Sequence, residues 1–119
     1  MLVCVPVTSD GEIDPRWGHA ARVAIVDVKG GVAADWREFD VAWDELHGVG
    51  TEGAHHARVA SFLREQGVQV VAADHVGPGM VTMLARMGVT LRLGASGDAR
   101  HAAIVAAASA IRDGGPPTK

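Results

Sequence analysis

The second half of the chain contains two strand–helix units, and these narrow the choice of fold more than any other part of the sequence. Val68 to Ala73 is an unbroken apolar run, typical of a strand buried on both faces of a sheet. A helical pattern follows it, and a second apolar run, Val89 to Leu93, leads into another predicted helix, Asp98 to Arg112. Because strand–helix–strand units join parallel neighbours, this half predicts a parallel sheet covered by helices.

The first half of the chain predicts antiparallel pairing instead. Leu2 to Val7 and Val23 to Val28 are short apolar runs, and Lys29-Gly30-Gly31 is typical of a hairpin turn into a third strand, about Val32 to Phe39. The charge in that third strand is typical of a sheet edge. Strands 1, 3, 4 and 5 should therefore point one way and strand 2 the other.

One further helix completes the predicted order βββαβαβα. Thr51 can cap its N-terminus and Gly67 can end it, whereas the stretch from Val41 to Gly53 is expected to be irregular because it contains three glycines. A chain of 119 residues has enough length for one domain. We therefore predict a single α/β domain over residues 1–113 with a five-stranded mixed sheet, and a flexible tail over residues 114–119.

Composition excludes several classes of protein. A net charge of −3 argues against a nucleic-acid partner, which needs a basic surface to neutralise phosphates. The single cysteine, Cys4, cannot form an internal disulfide or a cysteine-rich cluster site. The N-terminus lacks the basic start of a signal peptide, and no apolar run is long enough to span a membrane. We expect a soluble, cytoplasmic protein that contacts no membrane.

The topology predicts where a site should lie. Ligands of open α/β sheets bind beyond the carboxyl ends of the strands, and the segments after strands 1, 3, 4 and 5 all emerge at that rim. Imidazole suits iron, zinc and copper. Histidines gather in these segments: His19, His47, His55, His56 and His75, with His101 one turn into the last helix.

Two interpretations of these histidines remain open. His55 and His56 are adjacent on a helix and point about 100° apart, so they would not normally share one ion. His55 can instead pack against the sheet with one nitrogen hydrogen-bonded, while His56 meets solvent. For His47, exposure to solvent is favoured over ligation.

The rim also has features suited to an anion. Gly77 and Gly79 lie where a central strand meets a helix N-terminus, whose free N–H groups attract negative charge, and Ser96 lies in a similar turn after the next strand. Arg16 can clamp an anion, and Trp17 can shield it from water. The structural alternatives are two tight turns with ordinary helix caps, and a Trp17 that only plugs the end of the core.

Catalysis has little support in the sequence. There is no nucleophile elbow, and Cys4 reads as a small buried residue of the first strand. The element order also occurs in ribonuclease H, but two-metal nucleases need carboxylates on central strands, and the first strand has none. A non-enzymatic binding protein is favoured. The alternatives are an enzyme or binding protein for an anion or small metabolite at the same rim, and an interaction module in which exposed Trp36 and Trp43 seed a homodimer.

Five short motifs occur in order along about residues 1–110: Val5-Pro6-Val7-Thr8, Asp14-Pro15-Arg16-Trp17-Gly18-His19-Ala20, Gly53-Ala54-His55-His56, Asp74-His75-Val76-Gly77-Pro78-Gly79-Met80 and Gly94-Ala95-Ser96-Gly97. Together they resemble the dinitrogenase iron–molybdenum cofactor biosynthesis family, of the NifX, NifY and NifB C-terminal-domain type. In this chain Arg16-Trp17-Gly18 stands where many members have His-Phe-Gly.

The resemblance implies a ribonuclease H-like fold without nuclease activity. It also implies a carrier that holds an iron–sulfur precursor or the finished iron–molybdenum cofactor between cofactor-assembly proteins. On this basis the predicted metal ligands are His19, His55, His56 and His75. The predicted cofactor contacts are Arg16, Trp17, Gly18, Gly77, Gly79 and Ser96.

Overall fold

A computed structural model describes residues 1–113, and the predicted tail lies outside them. Its strands are β1 (Leu2–Pro6), β2 (Arg22–Lys29), β3 (Val32–Asp40), β4 (Val70–Ala72) and β5 (Thr90–Arg92). Its helices are α1 (Trp43–Leu46), α2 (Glu52–Gln66), α3 (Pro78–Arg86) and α4 (Ala99–Arg112), and a single 3-10 turn covers Trp17–His19.

The strands form one mixed sheet in the order β3-β2-β1-β4-β5. β1 is antiparallel to β2 and parallel to β4, while β2 and β3 are antiparallel and β4 and β5 are parallel. The predicted α/β class, strand directions and edge position of β3 are therefore confirmed. Pro6 ends β1, where its missing N–H removes no ladder bond inside the strand.

The β2–β3 hairpin forms at the predicted turn. Gly30 and Gly31 both have positive φ, 59° and 77°, as a two-residue type I′ turn requires. Farther along, Asp27 lies opposite Asp35 but Val28 lies opposite Ala33, so Ala34 is an extra residue on β3. This β-bulge interrupts the regular edge of the sheet.

Helices cover both faces of the sheet. Val3 and Val5 face α4, which buries a row of alanines against them, whereas Cys4 faces the opposite side with Leu63 and Leu84 of α2 and α3. This alternation follows from the two-residue period of β1. Cys4 is fully buried, and burial raises the pKa of its thiol far above the ordinary value.

The predicted boundaries of α2 are confirmed. The Thr51 hydroxyl accepts a hydrogen bond from Ala54 N at 3.0 Å, and Gly67 ends the helix with a φ of 68°. The stretch before it was expected to be irregular, and there the prediction is wrong, because α1 forms within it. Ala42 takes a left-handed φ of 54° and Trp43 N donates to Ala20 O at 3.0 Å, so a tertiary contact starts this helix.

Trp43 also contradicts the prediction of an exposed interface residue. Its side chain is 1% exposed and packs edge-on against Trp17 and Phe62, with ring centroids 5.3 and 5.9 Å away. Trp36 is half-buried beneath Arg100, whose guanidinium carbon lies 4.7 Å from its ring centroid. No helix within residues 1–113 has the length and apolar character needed to cross a membrane.

Candidate functional site

The rim at the carboxyl ends of β1 and β4 contains a cleft of about 600 Å³, which we call the histidine cleft. Segments that follow β1, α1 and β4 form its walls together with the start of α2. All of the predicted site residues line it except Gly79 and Ser96. Its full lining is Pro15, Arg16, Trp17, Gly18, His19, His47, Glu52, His55, His56, His75, Gly77 and Met80.

Three of its histidine rings form a row. His19 belongs to the 3-10 turn, and its ring centroid lies 3.7 Å from that of His47, with 40° between the planes. His47 in turn lies 5.6 Å from His55, almost perpendicular to it. His47 is exposed, as predicted, but it is also part of the cleft, which the loop sequence alone did not indicate.

His55 uses both ring nitrogens within the protein. Its Nε2 lies 2.8 Å from Gly18 O, and its Nδ1 lies 2.7 Å from an Nη1 of Arg58. The residue is only 3% exposed. This geometry does not fit the predicted role of His55 as a metal ligand, because a ligand needs a free nitrogen, and it favours the alternative of a packed, hydrogen-bonded histidine.

The environment of His19 lowers the pKa of its ring. Partial burial lowers its pKa, and the neighbouring His47, Arg16 and His55 lower it further. The imidazole therefore has an unprotonated nitrogen available at neutral pH. A metal ion or cluster binds that form and not the imidazolium.

Arg16 stands at the mouth of the cleft with 62% of its side chain exposed. Its Nε and Nη2 lie 3.3 and 3.4 Å from the two carboxylate oxygens of buried Asp14, and this ion pair raises the arginine pKa. An isolated parallel bridge joins Arg16 to His75 and ties the loop after β1 to the loop after β4. The guanidinium is thus held in place while keeping an exposed surface.

His56 projects on the other side of the cleft, where helices α2 and α3 approach each other. A Cβ on Gly79 would lie 2.8 Å from His56 Cε1, so the glycine makes room for this ring. Glu52 Oε2 lies 3.8 Å from His56 Nε2, too far for a direct hydrogen bond. Glu52 is the carboxylate of the lining, and the sequence motifs did not single it out.

Trp17 both lines the cleft and closes the end of the core. It is 2% exposed, and its indole N–H has no hydrogen-bond partner among residues 1–113. Its ring meets that of Trp43 edge-on. Both interpretations of Trp17 from the sequence are therefore compatible with its position.

Ser96 lies outside the histidine cleft. Gly97 O accepts a hydrogen bond from Ile13 N at 2.8 Å, and this contact holds the loop after β5 on the α4 side of the sheet. Ser96 and His101 there line a second cleft of about 300 Å³ between β5 and α4.

The histidine cleft brings several imidazoles and one guanidinium together. His19, His47, His56 and His75 present imidazoles from separate segments, and Arg16 adds positive charge. Within residues 1–113 no group of three or more histidine, cysteine or acidic residues is arranged to hold a single metal ion. The imidazoles of the cleft therefore come from different segments of the chain and surround a common space.

Comparison with known proteins relates this chain to one family. Residues 1–110 match the model of the family described as "Dinitrogenase iron-molybdenum cofactor". A search among curated protein sequences finds no significant match.

Solved structures share the fold. The apo form of the orange protein from Desulfovibrio gigas superposes with a TM-score of 0.68 at 22% identity, covering 99% of this chain and 92% of that one. A putative NifB protein from Thermotoga superposes with a TM-score of 0.63 at 22% identity, covering 95% and 88%. At these identities the likeness establishes the common architecture.

Proposed function

The chain belongs to the dinitrogenase iron–molybdenum cofactor family, and from this premise we propose that it is a non-enzymatic carrier of an iron–sulfur or iron–molybdenum cluster held in the histidine cleft. The family points to the binding and biosynthesis of that cofactor. The cluster is cargo in this proposal, received from one cofactor-assembly protein and passed to another. The protein's own task is to bind it, shield it and release it.

One observation carries the proposal: imidazoles from separate segments meet in a single cleft beside an exposed guanidinium. Imidazole nitrogen is a good ligand for iron. A metal–sulfur cluster with net negative charge is stabilised by nearby positive charge and by helix N-termini. Both kinds of group line this cleft.

Each residue then has a role. His19, His56 and His75 donate to the metal, and His47, which the sequence favoured as exposed, joins them as a donor next to His19. Arg16 and the N-terminus of α3 at Gly77 offset the negative charge of the cargo, while Trp17 and Gly18 form the wall. Gly79 acts indirectly by making room for His56, and His55 is a positioning residue.

The alternative function is binding of an anion or small metabolite. Its support is that Gly77, the N-cap residue of α3, provides no side-chain cap, so the N–H groups of the first helical turn after Pro78 point toward the cleft end of the helix without a side-chain partner at the cap. An oxyanion held there by Arg16 would need no metal ligand. The two functions differ in whether the histidines matter for binding.

The test is an anaerobic titration of the protein with a synthetic [4Fe–4S] cluster, followed by visible absorption and by co-elution on a sizing column. The carrier proposal expects saturable co-elution near one cluster per chain. Absence of saturable cluster binding, together with binding of phosphate or molybdate, would replace the carrier by the anion-binding protein.

Histidine variants test the assigned donors. His19→Ala and His75→Ala should each weaken cluster binding at least about tenfold, equivalent to about 1.4 kcal/mol. His101→Ala is the matched control, because it removes an exposed histidine from the second cleft. Equal affinity in all three variants would contradict the histidine assignment even if the cluster binds.

A further inference from the structure

We infer that Arg58 is the positioning residue of the histidine cleft: a single guanidinium nitrogen fixes the tautomer of His55 and holds the two segments that present His19 and His47. The inference rests on the proposed function for its effect on cargo. Its structural part concerns the protein alone.

The geometry starts on α2, where Arg58 lies one turn after His55 and its side chain is half-buried. The i, i+3 spacing places the two side chains on the same face of the helix. The Nη1 atom of Arg58 lies 2.7 Å from His55 Nδ1 and 3.3 Å from Leu46 O. One atom thus contacts the histidine on its own helix and the last residue of α1.

The partners of His55 determine its tautomer. A guanidinium can only donate, so Nδ1 must be the unprotonated, accepting nitrogen. A backbone carbonyl can only accept, so the proton must sit on Nε2, which donates to Gly18 O. Arg58 therefore holds the ring as the Nε2–H form, and with it the bond to Gly18.

Each end of this chain of hydrogen bonds controls a histidine of the cleft. Gly18 is the middle residue of the 3-10 turn and directly precedes His19, while Leu46 directly precedes His47. α1 has only four residues, and the contact with Arg58 adds a side-chain hydrogen bond from α2 at its C-terminus. Holding both segments places the two rings 3.7 Å apart.

Position and charge can be separated by substitution. Arg58→Met removes the donor, whereas Arg58→Lys keeps the positive charge on a shorter side chain that lacks the planar guanidinium. Arg64→Met is the matched control, because Arg64 is an exposed arginine of the same helix outside the lining of the cleft.

The structural test uses cargo-free protein labelled with 15N on its histidine rings, with nitrogen–proton correlation spectra recorded at pH 8. Wild type and Arg64→Met should show His55 as a pure Nε2–H tautomer. Arg58→Met and Arg58→Lys should both shift the His55 nitrogens toward a mixture of tautomers and move the signals of His19 and His47. An unchanged His55 pattern in Arg58→Met, or a wild-type pattern in Arg58→Lys, would overturn the inference.

The functional test repeats the [4Fe–4S] titration on the same variants. Both Arg58 variants should bind the cluster about three- to tenfold more weakly than wild type, as expected for the loss of one positioning hydrogen bond. Wild-type affinity in both variants would overturn the effect on cargo. If the rings shift as expected but wild type binds no cluster, the carrier proposal fails while the structural role of Arg58 is supported.

Discussion

At the scale of single residues, His19 should contribute to the pH dependence of cargo binding. Its pKa is lowered by burial and by neighbouring His47, Arg16 and His55, so the neutral ring persists below the ordinary histidine value of about 6.5. The contribution of His19 to affinity for the [4Fe–4S] cluster should therefore stay constant from pH 8 to about 6.5 and be lost only at lower pH, as this ring takes up its proton. Titrations at stepped pH in wild type and in His19→Ala measure this contribution as the difference between the two pH curves. Curves of identical shape in the two proteins would show that His19 is not a ligand.

Gly79 offers a second prediction at this scale. Gly79→Ala should turn the His56 ring, because the new Cβ would lie 2.8 Å from Cε1. The smaller conformational freedom that alanine gives the unfolded chain, about 0.4–1 kcal/mol, offsets the cost of the shift. We expect a changed His56 ring signal and weaker cluster binding with a nearly unchanged midpoint of unfolding. Gly53→Ala is a suitable control, since a Cβ there meets only Thr51 Oγ1 at 3.9 Å. A loss of stability without a change at His56 would contradict this role of the glycine.

The hydrogen-bond partners of individual side chains are the feature of the site that the sequence predicts least well. The motifs predicted which histidines gather, but the partners of His55 depend on Gly18 and Arg58, and the place of His47 depends on how α1 docks. A ring nitrogen is free or engaged according to contacts made across the fold. The spacing of residues within a sequence motif does not predict those contacts.

At the scale of elements, the N-cap of α2 is open to a direct test. Thr51→Ala removes the oxygen that accepts from Ala54 N and should lower the free energy of unfolding by about 1 kcal/mol. Urea or thermal unfolding measures the loss. Ser61→Ala, at an exposed position in the same helix, should change stability much less, and equal effects at both positions would refute a capping role.

Regular elements were predicted well because their signals are local. Thr51, Gly67 and the Gly30–Gly31 turn each sit where the backbone requires them, and apolar periods located the strands to within about two residues. The sequence does not predict α1, because the residue before it, Ala42, is left-handed and provides no side-chain cap. The same docking buries Trp43, which is why its predicted exposure was wrong.

At the scale of the whole molecule, the sheet separates two hydrophobic layers. A substitution in the layer away from the cleft should therefore change the free energy of unfolding without changing cluster affinity. Ala103 is fully buried in the layer between α4 and the sheet, away from the histidine cleft. Ala103→Leu should cost about 1–3 kcal/mol of stability through overpacking and leave cluster affinity unchanged in the folded fraction. Denaturant unfolding and cluster titration on one preparation test both parts. A drop in affinity would show that the two layers are coupled.

The location of the site followed from topology. Once β1 and β4 are parallel neighbours, the loops after them must emerge together, so the rim could be predicted before any contact was known. The same argument placed Ser96 at this rim, but the loop after β5 turns to the other face of the sheet, so Ser96 lies outside the histidine cleft. Sheet topology predicts at which end of the sheet a loop lies, whereas tertiary contacts determine toward which face the loop turns.

Trp17 is buried in the wall of the histidine cleft, so its fluorescence should report whether cargo is bound there. The chain has three tryptophans and no tyrosine, so ultraviolet emission comes from indoles alone. Trp17 and Trp43 sit together beside the cleft, while Trp36 packs on the α4 side of the sheet. A cargo that absorbs visible light should quench the fluorescence of Trp17 and Trp43 by energy transfer more than that of Trp36. Loading and release could then be timed by fluorescence without any label.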